Sequence, residues 1–443
     1  MKKLPELLMP AGDLEKAKIA FQFGADAVYG STSAYSMRTR EIGFDYKTLK
    51  EAVDYAHSIN KKFYITLNTY PHELELPGLK KHAKKLLAMN PDAIILADPG
   101  IFSFVKKEID KYSSSKARSL KSKSSRVNSN GIEIHLSTQA NTTNSESIKF
   151  WHKQGVKRFI LAREVSLEEI KQIVKNVPKS AVIETFVHGA MCNSVSGRCN
   201  LSNYLTGRDA NRGTCVQACR WEYYIVEKSR LMQPIPLEED MTGSYIFNSK
   251  DLCMIEHLKE LADAGVQSFK VEGRNKSIYY AAIVARAYRL AIDSLPPVIP
   301  TLLEGSLYKS NKKIIKKLVE ELSTVTSRGY STGFYFGKPT NEDINYTTSR
   351  PTSDWQFVGI VKEKLSPPNS QQLTADSYLI EGRNEIFPKE HIEVVTPADV
   401  VKLKVKKFIS NKGEILEKIN PGYLFILESK KDLPINSMIR LKK

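Results

Sequence analysis

The chain has 443 residues, of which 41% are hydrophobic and 26% charged, a composition typical of a globular protein with two or three domains. No apolar run approaches the roughly 20 residues of a membrane-spanning helix, and the N-terminal MKKLPELLMPAGD lacks a secretory signal, so we expect a cytoplasmic protein and no membrane partner. The 66 basic residues exceed the 49 acidic ones by 17, which suits a polyanionic partner or, equally, a lysine-rich proteome.

Residues 1–300 alternate short β-branched runs with amphipathic segments, a pattern typical of consecutive βα units. Eight strands, nearly all followed by a helix, predict an α/β fold of the (β/α)8 TIM-like barrel type. The predicted strands are Glu6–Met9, Ala27–Tyr29, Lys62–Leu67, Ala93–Leu96, Ile132–Leu136, Arg158–Leu161, Ala181–Phe186 and Ser268–Val271.

Polar residues follow most of these strands, at the end of the barrel where such folds carry their active sites. For any single position, ordinary turn composition is the better explanation of a polar residue. Together they predict a site at the barrel mouth. These residues include Asn68, Gln139, Asn141, Arg163, His188, Glu272 and Arg274.

Two stretches interrupt the βα pattern. Lys111–Gly131 has six basic and no acidic residues and many serines, which predicts a flexible cationic insertion that either contacts phosphates or only increases solubility. Residues 189–249, here called the cysteine insertion, carry four of the five cysteines. As an insertion after the seventh strand, this segment is expected to cover the barrel mouth.

The chain after residue 300 changes character. Pro296, Pro297 and Pro300 end the barrel pattern, and a helix over Lys309–Thr324 is predicted within a linker that spans residues 301–350. From Trp355 onward, short strands separated by turn residues predict a small antiparallel β-barrel domain over 351–443.

The four cysteines of the cysteine insertion have the spacing C-x6-C-x15-C-x3-C, formed by Cys192, Cys199, Cys215 and Cys219. Clustered thiolates in a reducing compartment indicate a metal site. Zinc knuckles need closer pairs, whereas a 4Fe–4S cluster accepts loosely spaced ligands, so the spacing favours iron–sulfur over zinc or unligated thiols. Cys253 is expected on a helix, as a buried small side chain or as the fourth ligand in place of Cys219.

Several motifs resemble the collagenase-like peptidase U-32 family, and the resemblance covers essentially the whole chain. The motifs are PELLMPAGDLEKAKIAFQFGADAVY, ETFVHGAMCNSVSGRCNLS, RGTCVQACRWEY and KVEGRNKSIYY. Members that share the GTC-x3-CRWEY element hydroxylate the wobble uridine of tRNA to 5-hydroxyuridine, and others hydroxylate rRNA or small substrates. The resemblance therefore implies a tRNA hydroxylase with a 4Fe–4S cluster and prephenate as the oxygen source. The Ser and Thr residues of Tyr29–Arg38 and the basic insertion depart from the family pattern.

The family name itself implies proteolysis. The chain has no HExxH or GxSxG motif, and His188 is the sole histidine near Cys192 that could activate a thiol. A peptidase thus remains the alternative, as does a non-catalytic partner subunit, although a complete set of four cysteines argues against the latter.

For the hydroxylase, a dicarboxylate such as prephenate needs paired cations and neutral hydrogen-bond partners. The residues expected to bind it are Arg163, Lys270, Arg274, Gln139 and Asn141. His188 and Glu272 are the candidates for proton transfer, although Glu272 could equally form an ion pair with Arg274.

A tRNA partner would explain the basic charge. The predicted tRNA contacts are Tyr70, Trp221 and Tyr223 for base stacking and Lys402, Lys404, Lys406 and Lys407 for phosphates. The aromatic residues could equally be core, and the lysines could equally protect a solvent-exposed edge strand. The sequence does not predict an oligomeric state.

Overall fold

The computed structural model describes residues 4–35, 43–119, 131–192, 194–195, 198–221, 224–225, 235–236, 248–295, 304–345, 351–365, 376–388, 390–405, 407–410 and 413–443. Within these ranges, no helix is long and apolar enough to cross a membrane.

The N-terminal part is a closed barrel of eight parallel strands, which confirms the predicted fold class. Strands β1 to β7 pair in sequence order, and β11 pairs with both β7 and β1, which closes the ring. The strands of this part are β1 (Glu6–Pro10), β2 (Ala27–Gly30), β3 (Lys62–Leu67), β4 (Ala93–Leu96), β5 (Glu133–Leu136), β6 (Arg158–Ile160), β7 (Val182–Gly189), β8 (Tyr224–Ile225), β9 (Ile235–Pro236), β10 (Asp251–Cys253), β11 (Ser268–Val271) and β12 (Tyr330–Ser331).

Helices surround the barrel. Several of them have an N-cap side chain, such as Asp13, Asp45 or Ser277, that accepts a hydrogen bond from a backbone amide of the first turn. Their apolar faces pack on the strands to form one core, which includes Phe63 and Phe269. The helices are α1 (Leu14–Gln22), α2 (Tyr46–Ser58), α3 (Leu76–Ala88), α4 (Pro99–Ser119), α5 (Ser145–Lys153), α6 (Leu167–Asn176), α7 (Leu201–Thr206), α8 (Leu258–Asp263), α9 (Ile278–Asp293) and α10 (Glu304–Leu322).

Three local predictions differ from the structure. Helix α4 extends to Ser119, so the first part of the predicted flexible insertion is helical, while residues 120–130 lie outside the described residues. Strand β7 continues to Gly189, so His188 lies within the strand. Cys253 was predicted on a helix, but it lies on β10, because this segment pairs with the end of β7 and the helix begins only afterwards.

The C-terminal domain is an antiparallel sheet with the order β16-β15-β20-β13-β14-β19-β17-β18. Its buried face forms a separate core that includes Val358, Phe408 and Phe425. In the described pairings β16 and β18 are the two edges, so the sheet is a half-barrel. The strands are β13 (Trp355–Leu365), β14 (Asp376–Gly382), β15 (His391–Val395), β16 (Val400–Lys404), β17 (Phe408–Ser410), β18 (Ile415–Leu416), β19 (Leu424–Ser429) and β20 (Met438–Lys442).

Candidate active site at the barrel mouth

A cavity of about 430 Å³, counting space open to solvent, lies where the barrel strands end. Six of the residues predicted for the mouth line it together: Asn68, Gln139, Arg163, Lys270, Glu272 and Arg274. The other lining residues are Tyr29, Thr66, Ile95, Ser137, Thr138, Ile160 and Phe186. Asn141 and His188, also predicted for this site, are not among the residues that line the cavity.

Arg163 and Glu272 form an ion pair across the cavity. The Arg163 Nη2 atom lies 3.3 Å from the Glu272 Oε2 atom, and the guanidinium lies 4.1 Å from the centroid of the Phe186 ring. Both side chains are largely buried, since they follow β6 and β11, the two strands on either side of β7. The sequence left open an ion pair between Glu272 and Arg274. The ion pair that the structure describes joins Glu272 to Arg163.

Arg274 is held by hydroxyl groups. Its Nη1 atom donates to the Ser31 Oγ and Thr66 Oγ1 atoms, each at 3.0 Å, and the residue is 6% exposed. Hydroxyl groups orient a guanidinium without neutralising its charge. Arg274 therefore brings a positive charge to the cavity wall.

Lys270 has a carboxylate partner deeper in the barrel. Its Nζ atom donates to the Glu184 Oε1 atom at 2.9 Å and lies 4.3 Å from the centroid of the Tyr29 ring. Burial lowers the pKa of Lys270, although Glu184 opposes this shift. Lys270, one of the three cations predicted to bind a dicarboxylate, is thus already paired with Glu184.

The cavity wall carries a small positive excess. The lining contains three cations, Arg163, Lys270 and Arg274, and one carboxylate, Glu272, while Glu184 lies deeper and is shared between Lys270 and Arg158. In a largely buried site such an excess favours an anionic ligand.

Gln139 connects the cavity to the neighbouring loops. Its Oε1 atom accepts a hydrogen bond from the Asn68 Nδ2 atom at 2.9 Å, and its backbone carbonyl accepts from the Tyr70 hydroxyl at 2.5 Å and from the Arg198 Nε atom at 2.9 Å. Asn141 ends the same turn in a left-handed conformation, with φ of 55°, and is exposed. This backbone geometry places Asn141 outside the cavity lining.

His188 is buried among three tyrosines away from the cavity. Its ring contacts those of Tyr280, Tyr288 and Tyr330 at centroid distances of 5.8, 5.4 and 5.4 Å. Burial lowers the pKa of His188 to about 3, so the ring is neutral at neutral pH. Cys253 pairs with it across the strands, and burial raises the pKa of the Cys253 thiol to about 11. The side chain is partly buried and packs against the core, which favours the interpretation of Cys253 as a small packing side chain.

The cysteine insertion contacts the barrel mouth through two arginines. The Arg198 Nη2 atom donates to the Tyr70 hydroxyl at 2.8 Å, in addition to its bond to Gln139. The Arg212 Nη2 atom lies 2.5 Å from the Glu75 Oε1 atom just before α3. The described part of the insertion therefore lies against the mouth, where the sequence predicted it.

All four cysteines of the insertion are partly buried and free of disulfide bonds. The amides of Leu201 and Gln217 donate to the sulfurs of Cys199 and Cys215, each at 3.4 Å, which is a common way to stabilise a thiolate ligand. Among the described residues, no three His, Cys, Asp or Glu side chains are placed to hold a single metal ion. An iron–sulfur cubane separates its ligand sulfurs more widely than one ion does, and the donor chemistry fits that cluster.

Comparison with known proteins then identifies the family. The profile of peptidase family U32 matches residues 12–127 and 122–345, and that of the peptidase family U32 C-terminal domain matches residues 353–440. The chain belongs to peptidase family U32.

Three named proteins illustrate the range of U32 relatives. The tRNA hydroxylation protein P of Haemophilus influenzae is 33% identical over 99% of this chain and 96% of its own length. The 23S rRNA 5-hydroxycytidine C2501 synthase of Escherichia coli is 34% identical over 66% of this chain and 39% of its own length. The collagenase of Porphyromonas gingivalis is 29% identical over 80% of this chain and 79% of its own length.

Sequence reasoning missed part of this U32 site. Tyr29, Thr66 and Phe186 line the cavity from within predicted strands, where only the strand ends had been considered. Below them, the Arg158 Nη1 atom contacts Glu6 at 2.5 Å and Glu184 at 2.9 Å inside the barrel. The sequence signal that could have found these residues is the period of two along each strand, which places alternate side chains on the inner face of the barrel.

The predicted tRNA contacts are dispersed in the U32 chain. Tyr70 contacts Arg198, Trp221 is 43% exposed, and Tyr223 lies outside the described residues. Lys402 and Lys404 are exposed on β16, an edge strand, and Lys407 is exposed beyond it. Lys406 lies outside the described residues. The position of Lys402 and Lys404 on an edge strand agrees with the interpretation that these lysines protect the edge from pairing with another chain.

Proposed function

We propose that this U32 protein is a tRNA hydroxylase that forms 5-hydroxyuridine at the wobble position. The observation that carries the proposal is its similarity to tRNA hydroxylation protein P over 99% of this chain and 96% of that relative. The named rRNA 5-hydroxycytidine synthase supports RNA hydroxylation as the broader activity. A cationic cavity under a cysteine-rich loop is compatible with this chemistry.

We propose that Cys192, Cys199, Cys215 and Cys219 hold a 4Fe–4S cluster. The spacing of the cysteines and the amide donors at two of the sulfurs support this ligand set. When bound, the cluster supplies one-electron redox chemistry next to the barrel mouth. Arg198, adjacent to Cys199, ties the cysteine-bearing loop to the cavity wall at Gln139.

We propose that a small dicarboxylate, prephenate, binds in the cavity as the source of oxygen. Arg274 would hold one carboxylate because Ser31 and Thr66 orient its guanidinium at the cavity wall. Gln139 and Asn68 supply neutral hydrogen-bonding groups beside it. Glu272, a carboxylate that lines the cavity, is the candidate to hold a proton, and Arg163 positions it.

The peptidase alternative rests on the family name and on relatives such as the collagenase. A cysteine peptidase needs a histidine that can accept the thiol proton. Burial lowers the pKa of His188, the candidate for that role, to about 3, so the ring is a weak base, and it packs among tyrosines. These surroundings argue against His188 as the base of a cysteine peptidase.

Nucleoside mass spectrometry of a deletion strain tests the proposal. We expect 5-hydroxyuridine to disappear from tRNA, to return with the native gene and with C253A, and not to return with C199A. Retention of 5-hydroxyuridine in the deletion strain would refute the reaction, and loss of a hydroxylated rRNA nucleoside instead would support the rRNA alternative.

Iron analysis tests the ligand set independently of activity. Protein purified without oxygen should be brown and contain about four iron atoms per chain. C199A should lose most of the iron, and C253A should retain it. If C253A loses iron and C219A retains it, Cys253 is the fourth ligand in place of Cys219. Colourless protein that contains zinc would contradict the iron–sulfur cluster.

A further inference from the structure

Two neighbouring helices beside the mouth expose an unusual concentration of lysine. Helix α3 carries four exposed lysines and no acidic residue, and the adjoining α4 adds two more that are exposed. We define this group as the lysine ridge. It consists of Lys80, Lys81, Lys84, Lys85, Lys107 and Lys111.

Helices α3 and α4 pack side by side, which brings Lys80 and Lys84 next to α4, while Lys85 lies on the α2 side, 4.6 Å from the centroid of the Tyr46 ring. The Lys80 Nζ atom of α3 lies 5.7 Å from the centroid of the Phe104 ring of α4. Lys84 and Lys111 both approach Glu108, at 3.9 and 2.9 Å. Even after Glu108 and Asp110 are counted, six lysines against two acids leave 6 − 2 = +4.

The ridge begins where the candidate active site ends. Glu75, the residue before α3, binds Arg212 of the cysteine insertion, so the first turn of α3 lies at the barrel mouth. Lys80 and Lys84 are separated by about 6 Å along the helix axis, so they can follow one strand of phosphates away from the mouth. Lys116 and Arg118 lie in the last turn of α4.

We propose that the lysine ridge binds the phosphate backbone of the RNA substrate. This inference rests on the proposed function, because it assigns the contact that holds the RNA while one nucleotide reaches the cavity. The net positive charge that the six lysines keep beside Glu108 and Asp110 suits a polyanion, and contacts to phosphates position RNA without reading its sequence. The ridge lies on the barrel domain, apart from the lysines of β16.

Helix α10 offers a matched control. Lys312, Lys313, Lys316 and Lys317 are exposed with the same spacing as the four lysines of α3. However, α10 packs against α9 and the turn Ile255–His257, and Glu320 and Glu321 follow its lysines. Replacing either set of four lysines with glutamine removes the same charge.

The experiment measures binding of an unmodified tRNA transcript to the full-length protein as a function of salt. We expect K80Q/K81Q/K84Q/K85Q to weaken binding at least about tenfold and to reduce the slope of log K against log salt by about 3, or somewhat less than one unit per lost contact. The α10 variant should bind within about twofold of the native protein. In turnover assays the α3 variant should raise KM for tRNA and leave kcat unchanged.

Folding is checked by circular dichroism and thermal unfolding. If the fourfold α3 variant does not fold, K81Q/K107Q should still weaken binding and reduce the slope by about 1 to 2. Three results would contradict RNA binding by the lysine ridge. They are native-like binding by the α3 variants, an equal loss of binding in the α10 variant, and a loss of binding confined to K402Q/K404Q/K407Q. If the native protein forms 5-hydroxyuridine in any of these cases, only the ridge fails. If it neither binds tRNA nor supports the modification, the proposed function fails as well.

Discussion

Lys270 and Arg274 stand four residues apart, yet their surroundings give them different roles. Lys270 donates to Glu184 at 2.9 Å within the barrel, whereas Arg274 is oriented by the hydroxyls of Ser31 and Thr66. A cation already paired with a buried carboxylate has less to gain from an anionic ligand. The pairing with Glu184 therefore makes Lys270 a weaker candidate for binding the proposed co-substrate than its place in the cavity lining indicates.

Glu184 is the centre of charge compensation inside the barrel. It is fully buried and contacts Lys270 and Arg158, each at 2.9 Å. Burial alone would raise the pKa of Glu184, but the charges of Lys270 and Arg158 outweigh it and lower the pKa to about 2. The pairing thus stabilises the folded state above the unfolded pKa of about 4.3, and this contribution is lost as the pH falls toward 2.

We predict that E184Q lowers the free energy of unfolding by about 3 to 5 kcal/mol at neutral pH, because two buried cations lose their shared carboxylate. The variant should also lose stability less steeply than the native protein between about pH 4.3 and pH 2. Urea unfolding at several pH values measures both effects. E168Q, on the exposed face of α6, should change stability by less than about 0.5 kcal/mol. Equal effects of the two substitutions would show that the buried network contributes little.

At the scale of elements, the extension of β7 determines the geometry next to the cavity. Beyond Phe186, this strand pairs with β10 on one side and β11 on the other. Gly189, its last residue, has φ of 105°, and a Cβ atom there would lie 2.3 Å from the carbonyl oxygen of Glu272. The close approach of these two strand ends requires glycine, and it sets the backbone position of Glu272.

We predict that G189A lowers both stability and hydroxylation, because the Glu272 backbone must move away from the new methyl group. Gly155→Ala is the matched control, since Gly155 has a similar φ of 101° and a Cβ atom there would meet nothing closer than 3.8 Å. The control should lose about 1 to 2 kcal/mol, and G189A about 1 to 3 kcal/mol more. Chemical denaturation and nucleoside analysis provide the two measurements. Similar stability and full activity in both variants would contradict the role of this contact.

At the scale of the whole molecule, Arg286 of α9 joins the barrel to the C-terminal domain. Its Nε atom donates to the carbonyl of Thr396 at 2.9 Å, and its Nη2 atom to that of Ala398 at 3.2 Å. The same side chain forms an ion pair with Glu321 of α10. One buried guanidinium thus connects α9, α10 and the loop between β15 and β16.

We predict that R286M destabilises the protein by about 3 to 5 kcal/mol, because Glu321 is left buried without its cation. The C-terminal domain should then become accessible to limited proteolysis before the barrel does. Arg289 provides the control, since it binds Asp26 and Asp293 at the barrel surface, and R289M should cost about 1 kcal/mol. Simultaneous cleavage of both domains in R286M would argue against this connection.

Local periodicity was sufficient to predict the barrel and the antiparallel C-terminal sheet. Strands β3, β4 and β11 have the predicted ends, and six predicted residues line one cavity. These features follow from the sequence because the period of two in strands and the order of βα units are local properties. The strand ends meet at one mouth in any closed parallel barrel, so Gln139, Arg163 and Glu272 could be placed together without knowing their contacts.

The tertiary structure alone decided which charges pair and which groups leave the site. Arg163 lies 109 residues from Glu272, and Glu184 lies 86 residues from Lys270, so no local pattern could match these partners. Cys253 is on a strand because the end of β7 is available for pairing, and His188 is neutral because distant tyrosines enclose it. Burial and ion pairing depend on neighbours that only the closed barrel brings together, which is why the sequence determined the site's location and the fold determined its electrostatics.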